Sequence, residues 1–256
     1  MAREKPLVYL VLGAAGSGRR EVLADLVEDR TESGNRTAVM LSDAETPDEF
    51  EKKLGTITRW HWTDEGTIEG ELPRDAARIF FVTDGRRNPV EQCDVFRAWV
   101  EAQGGELARV LGVINCQLAE KHPPLLPWFD ACVHFADVVL LNRREGVANK
   151  WMSDFQAHYT DQFIPGLFEF VKNGRVKNPA LVLEPQARRM SHAFDAEQDW
   201  IFTDADGEVI EEDEETEGDE EIEATPEEDP YFVRDAAGRR LKRIPDIVKF
   251  LEQAQD

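Results

Sequence analysis

A glycine-rich segment near the start of the chain has residue types and spacing that suit phosphate binding. Gly13-Ala14-Ala15-Gly16-Ser17-Gly18-Arg19-Arg20 follows an apolar run and opens a helical pattern. Glycines in such a turn let backbone amides converge on an anion, and the helix dipole adds to the attraction. We therefore expect a phosphate site formed by Gly13, Gly16, Ser17, Gly18, Arg19 and Arg20. The segment is equally suited to a tight strand-to-helix turn without a ligand.

Two positions of this segment depart from the usual phosphate-binding pattern, GxxxxGK followed by Ser or Thr. Arg19 stands in place of the lysine, which keeps the positive charge but changes the geometry of the contact. Arg20 stands in place of the hydroxyl residue that ligates Mg²⁺. We therefore predict that metal-bridged phosphoryl transfer is slow or lost.

Five short apolar runs separated by helical patterns must position this loop. Such runs predict a mostly parallel sheet covered on both faces, which is a three-layer α/β sandwich. Together with the glycine-rich segment, this predicts an α/β fold of the P-loop NTPase class. An extra hairpin or a loop is expected over 56–72, and one or two closing helices over 150–173. The predicted strands are Leu7–Leu12, Ala38–Leu41, Ile79–Val82, Val110–Ile114 and Val138–Leu141.

In their order, these segments resemble the CobW family of P-loop GTPases and metal chaperones over roughly residues 6–165. The resemblance implies GTP as the ligand, possibly with Mg²⁺. The segments that carry it are Gly13–Arg20, Ala38–Glu45, Ile79–Pro89, Val110–Asn115 and Ala136–Glu145.

The resemblance also assigns residues to the base and to the metal. The family's guanine-binding NKxD motif corresponds to Asn-Arg-Arg-Glu here, so Asn142, Arg143 and Glu145 are expected to hold the base. The family places a glutamate where this chain has Val82. The remaining candidates for a Mg²⁺ ligand are Asp43, Glu45 and Asp84.

The cysteine motif of the family, Gly-Cys-x-Cys-Cys, has its only counterpart here in Gly66-Thr67-Ile68-Glu69-Gly70. All three thiols are absent, so no zinc site built from thiolates is expected. Arg86 and Arg87 follow the third predicted strand, at the edge where open α/β sheets bind ligands. They are candidates for phosphate contacts and, equally, for solvated loop charges.

The composition changes after residue 178, which predicts a P-loop domain over 1–178 and an extension over 179–256. The extension contains two similar hairpin patterns, at 200–210 and 231–244, and a terminal helical pattern at 244–254. Between them, residues 208–229 hold 14 acidic and no basic side chains. We expect this run to be disordered and either to aid solubility or to dock a basic protein partner.

Charge and cysteine content exclude several classes of protein. The net charge of −22 argues against nucleic acid or an anionic membrane surface as the partner. No apolar run approaches the roughly 20 residues of a membrane helix. The three cysteines lack CxxC spacing, which favours a reducing, cytoplasmic location.

Three functional hypotheses remain open. The first is a CobW-like GTP-binding protein with slow or lost hydrolysis. The second is a non-enzymatic interaction protein that uses the P-loop fold as a scaffold. The third is a P-loop ATPase or kinase in which Arg19 replaces the lysine.

Overall fold

The computed structural model describes residues 5–28, 36–195, 200–203, 223–226 and 228–251. Within these ranges the chain forms two compact units, residues 1–190 with 243–256 and residues 191–242. The first unit thus runs past residue 178, where the sequence predicts the extension to begin. No described helix is both long and apolar enough to cross a membrane.

The first unit is built on a nine-stranded sheet in the order β4-β3-β2-β5-β1-β6-β7-β8-β9. Neighbouring strands are parallel, except that β4 and β9 run antiparallel to β3 and β8. The strands are β1 (Leu7–Leu12), β2 (Thr37–Ser42), β3 (Thr56–Trp62), β4 (Ile68–Glu69), β5 (Arg78–Val82), β6 (Glu106–Asn115), β7 (Val138–Asn142), β8 (Leu167–Lys172) and β9 (Arg175–Val176).

Helices connect the strands, and side-chain caps fix where several of them begin. The Asn88 side chain accepts a hydrogen bond from the Val90 amide, and proline occupies the first helical position that follows. Asn115 caps the next helix in the same way. The helices are α1 (Arg19–Glu28), α2 (Pro89–Ala102), α3 (Cys116–Lys121), α4 (Leu126–Phe135), α5 (Asn149–Thr160), α6 (Pro179–Val182) and α7 (Val248–Leu251), with 3₁₀ turns at Glu49–Lys53 and Pro123–Leu125.

The central strands are buried on both faces, so their apolar runs are continuous. On one face, side chains of β1, β5 and β6 pack against Val22, Leu23 and Leu26 of α1. On the other, Phe81 stacks on Trp60 and contacts the rings of Phe96 and Trp99 in α2 at a tilt. This arrangement confirms the predicted three-layer α/β class with a mostly parallel sheet.

The two additions predicted for this sheet have different outcomes. Of the two alternatives expected over 56–72, a hairpin or a loop, the structure has the hairpin, because Trp62 of β3 pairs with Ile68 of β4. The prediction of helices over 150–173 is correct for α5 but wrong beyond it, where β8 is a strand. The reason is tertiary packing: β8 extends the sheet beside β7, and Phe168 stacks on Tyr159 of α5.

The second unit contains a two-stranded antiparallel sheet formed by β10 (Trp200–Thr203) and β11 (Glu223–Pro226). Strand β11 lies inside the acidic run, for which the sequence predicts disorder. The turn predicted at 204–207 and most of the acidic run lie outside the described residues. The later hairpin pattern forms a turn in which the Asp235 carboxylate accepts the amides of Ala237 and Arg239. The terminal helix is described only over Val248–Leu251.

Candidate functional site

The glycine segment forms a loop between β1 and α1, and three glycines are required there by geometry. Gly13, Gly16 and Gly18 have φ values of 144°, 77° and 84°, a region that favours glycine. A Cβ atom on Gly13 would lie 2.5 Å from the Val113 carbonyl oxygen. A Cβ atom on Gly18 would lie 2.4 Å from Nδ2 of Asn142. Side chains at Gly13 and Gly18 would therefore distort the loop.

Hydrogen bonds within the loop use some of its amides and leave others available. The Ala15 amide donates to the Gly85 carbonyl (2.9 Å), and the Ser17 amide donates to the Ala14 carbonyl (3.1 Å). Within the described part of the chain, the amides of Gly16 and Gly18 have no acceptor. The buried Ser17 hydroxyl likewise has no partner among the described residues. An anion at this loop would meet donors that the protein itself does not satisfy.

Arg19, which occupies the position of the phosphate-binding lysine, is turned into the protein. Its guanidinium is buried, and it donates to the Thr83 carbonyl and to Oε1 of Glu45. Glu45 also accepts the Gly85 amide at 3.3 Å. The positive charge expected to reach a phosphate is therefore neutralised inside the fold.

Arg20 belongs to the same ionic cluster and faces the segment that follows β2. Its guanidinium donates to the Thr46 carbonyl (2.8 Å) and to Oε1 of Glu51 (2.7 Å). It also pairs with Oε2 of Glu45 (3.3 Å) and Oδ2 of Asp48 (3.2 Å). Both arginines thus share Glu45, one on each carboxylate oxygen.

The three acidic residues proposed as Mg²⁺ ligands do not form a group that fits the ion. Glu45 is occupied by the two loop arginines, and Asp84 is buried with Oδ2 3.2 Å from Nε of Arg87. Asp43 contacts the His61 ring at 2.9 Å. No group of three or more His, Cys, Asp or Glu side chains suited to a metal occurs among the described residues. Oxygen ligands that converge and are free of competing cations are what Mg²⁺ requires.

The end of β7 brings two of the three predicted base-binding residues to the loop. Asn142 is buried, and its Nδ2 donates to the Ser17 carbonyl at 2.9 Å. Arg143 adopts φ 51° and pairs with Glu21 of α1 at 3.0 Å. Glu145 is exposed, and its backbone carbonyl accepts a hydrogen bond from Nε2 of Gln117 at 2.6 Å. Among the described residues, no hydrogen bond or ion pair joins the Glu145 carboxylate to the loop.

A cleft of about 190 Å³ opens above the loop at the carboxyl edge of the sheet. Four arginines line it. One of them, Arg86, was named from the sequence as a candidate either for a phosphate contact or for a solvated loop charge. Phe50 also lines the cleft and was missed, because an aromatic residue in a short acidic turn carries no motif. The position of Arg86 directly after β5 was the available signal, since ligands bind at that edge of open α/β sheets. The arginines are Arg19, Arg20, Arg86 and Arg143.

None of the cysteines lines this cleft, and they lie in α2, α3 and α4. All three are buried and unpaired with one another. Burial raises the pKa of Cys116 to about 12 and raises the pKa of Cys132 strongly. The counterpart of the family's cysteine motif, Gly66–Gly70, lies in the turn and strand of the β3–β4 hairpin.

No protein-family model matches the chain, and no curated protein matches it. Among solved structures, it is similar to cell division protein FtsY from Thermotoga maritima, with 16% identity, 75% of this chain and 67% of that chain covered, and a TM-score of 0.45. It is similar to the Zn(II)-bound YjiA GTPase from E. coli, with 14% identity, 79% and 72% covered, and a TM-score of 0.41. It is also similar to LAO/AO transport system kinase, with 13% identity and a TM-score of 0.41. That match covers 65% of this chain and about half (53%) of the kinase. Likenesses this remote carry no argument about activity.

Proposed function

We propose that this protein binds a guanine nucleotide at the loop between β1 and α1 and hydrolyses it slowly or not at all. The observation that carries the proposal is the meeting of two segments far apart in sequence. Asn142, from the predicted base-binding motif, donates to the Ser17 carbonyl of the predicted phosphate loop. The base and phosphate sites of one ligand must adjoin in this way.

The phosphate end of the proposed site combines backbone and side-chain donors. The amides of Gly16 and Gly18 are not used within the described structure, and α1 begins directly after them. Helix N-termini attract anions through unsatisfied amides and through the helix dipole. Four guanidinium groups line the cleft, and three of them are paired with Glu45 or Glu21, so within the described structure the positive charge that is not already paired is that of Arg86.

Slow hydrolysis follows from the residues that replace the catalytic ones. Arg20 occupies the position of the hydroxyl that would ligate Mg²⁺. Glu45 and Asp84 are each held by arginine, so neither is free to bind a metal or orient a water. The CobW resemblance is retained as a proposal for the nucleotide site only, since the thiolates for metal delivery are absent from 66–70.

Calorimetric titration of the full chain with GTP, GDP and ATP, each with and without Mg²⁺, tests this proposal. We expect guanine nucleotides to bind in the micromolar range with ATP clearly weaker, and turnover to be negligible. Asn142→Ala should weaken binding. Asn178→Ala, which removes a helix cap on α6 instead, should leave the affinity unchanged. Preference for ATP would favour the ATPase or kinase hypothesis, and absence of any nucleotide binding would refute the proposal.

The second candidate function is a non-enzymatic interaction protein, and the buried Arg19–Glu45 pair favours it. The cation expected to bind phosphate is already neutralised within the fold by Glu45. In this case the acidic run at 208–229 would dock a basic protein partner in the cytoplasm. Replacing its acidic residues with Gln and Asn in the full chain should then abolish capture of that partner without changing nucleotide behaviour.

A further inference from the structure

We propose that the cleft takes a phosphate or diphosphate group without a divalent cation, and that Arg86 is the side chain that contacts it. The inference deepens the proposed nucleotide site, on which it rests for the location of the ligand. It concerns the anion alone, so it can succeed or fail separately from the choice of base.

The acidic side chains at the cleft are arranged to hold arginine rather than metal. Both oxygens of Glu45 are engaged, one by Arg19 and the other by Arg20. In Asp84, Oδ1 accepts the Arg86 amide at 3.0 Å, and Oδ2 pairs with Arg87. A divalent cation entering here would have to displace guanidinium groups and would lie beside their positive charge.

Arg86 differs from the other three arginines of the cleft in having no counterion. Arg19 and Arg20 pair with Glu45, and Arg143 pairs with Glu21. The Arg86 guanidinium is exposed and makes no hydrogen bond or ion pair within the described part of the chain. Its charge is therefore available to an incoming anion, whereas binding to the others requires an ion pair to break.

The backbone holds Arg86 close to the unsatisfied donors of the loop. The residue before it, Gly85, accepts the Ala15 amide at 2.9 Å, which joins the end of β5 to the loop. A Cβ atom on Gly85 would lie 2.3 Å from the Ala15 nitrogen, so this approach requires glycine. An anion in the cleft can then meet the free amides of Gly16 and Gly18 on one side and the Arg86 guanidinium on another.

This geometry selects a ligand with several phosphoryl oxygens. Guanidinium groups bind phosphate oxygens in pairs, and such charge-assisted bonds are about twice as strong as neutral ones. A diphosphate can accept from both the loop amides and Arg86, which a single carboxylate is too small to do. The ligand class is therefore a phosphate ester or diphosphate, and inorganic pyrophosphate is its minimal representative.

The test is calorimetric titration of the full-length protein with inorganic pyrophosphate, once in EDTA and once in Mg²⁺. We expect binding in EDTA, and binding that is no tighter in Mg²⁺, because the metal competes for the anion. Arg86→Ala should weaken binding about tenfold or more, and Arg86→Lys should restore part of it. Arg87→Ala is the matched control, because that guanidinium is already engaged by Asp84 and lies over the Trp62 ring. It should leave pyrophosphate affinity unchanged.

The inference is overturned if pyrophosphate binds only with Mg²⁺, if it fails to bind at millimolar concentration, or if Arg86→Ala binds as wild type does. These outcomes differ from failure of the proposed function. Pyrophosphate binding in EDTA without preference for guanine nucleotides would refute the guanine assignment and leave the anion site standing. Guanine nucleotide binding that strictly requires Mg²⁺ would refute the metal-free anion site and leave the guanine assignment standing.

Discussion

Glu45 is expected to be the residue on which the stability of the loop depends most. It accepts from Arg19, Arg20 and the Gly85 amide, and so connects β2, the loop and β5. The substitution Glu45→Gln keeps the shape of the side chain and removes its charge. The Arg19 side chain, only 4% exposed, would then be a buried cation without a counterion.

The magnitude of this loss follows from the burial of the pair. Removing one partner of a buried ion pair costs about 3–5 kcal/mol, because the remaining charge is left uncompensated. The matched control is Asp48→Asn, which breaks a pair between Arg20 and a carboxylate that is 39% exposed. An exposed pair of this kind contributes about 0–1 kcal/mol. The two variants remove the same charge from the same cluster and should differ several-fold in their effect.

Equilibrium unfolding in urea gives the free energy of unfolding of both variants. If the dependence of that free energy on urea concentration has the same slope as in the wild-type protein, only stability has changed. Added pyrophosphate should raise the free energy of unfolding of Glu45→Gln by more than it raises that of the wild-type protein. The reason is that the guanidinium groups released by the substitution gain an anionic partner. At a ligand concentration 100 times Kd the gain would be about 2.7 kcal/mol. If Glu45→Gln lowered the free energy of unfolding no more than Asp48→Asn does, the Glu45 carboxylate would not be the stabilising centre of a buried ion-pair cluster, and this interpretation would be wrong.

Three further predictions concern other parts of the first unit. Asp137→Asn should lower the free energy of unfolding in urea by about 3–5 kcal/mol. The Asp137 carboxylate is fully buried, accepts hydrogen bonds from two backbone amides at 2.6 Å and pairs with Arg189. A variant as stable as the wild-type protein would contradict this prediction. Phe163→Gly should raise the free energy of unfolding by about 0.5–1 kcal/mol, because glycine adopts a positive φ without the steric cost of a side chain. Phe163 has φ 55° and an 88% exposed side chain. A lower free energy of unfolding would show that the ring makes a stabilising contact. Cys116 and Cys132 should react with a disulfide reagent at pH 8 only after denaturation. Burial raises the pKa of both thiols, and it raises that of Cys116 to about 12, so little reactive thiolate is present at pH 8. Rapid reaction of the native protein would contradict their burial.

The strands of the sheet could be predicted because burial on both faces leaves a clear compositional trace. Leu7–Leu12 is apolar throughout, and the structure buries it almost entirely. Strand β8 was missed, although Leu167–Lys172 alternates apolar and polar residues in Phe-Glu-Phe. Its aromatic residues suggested a helix, and only the stacking of Phe168 on Tyr159 and the pairing with β7 reveal the strand.

The sequence predicted where the candidate site lies more successfully than it predicted what its side chains do. Glycine spacing identified the loop, and the resemblance placed Asn142 beside it, where the structure has it. Glu45 was placed at the correct edge but as a metal ligand. Its pairing with Arg19 joins residues 26 positions apart, and it depends on how long side chains pack after the strands assemble. Periodicity and spacing carry no information about that step.

The two outermost strands of the sheet have a consequence for how copies of this protein meet. Strands β4 and β9 are two residues long, and each runs against the direction of its neighbour. Each covers only two residues of its longer neighbour, so within the described residues β4 leaves 56–60 of β3 unpaired on that side and β9 leaves 167–170 of β8 unpaired. Unpaired backbone at a sheet edge is where a second molecule can add a strand. Growth of the sheet through a second molecule is therefore limited to these two short stretches and cannot use the full length of either strand.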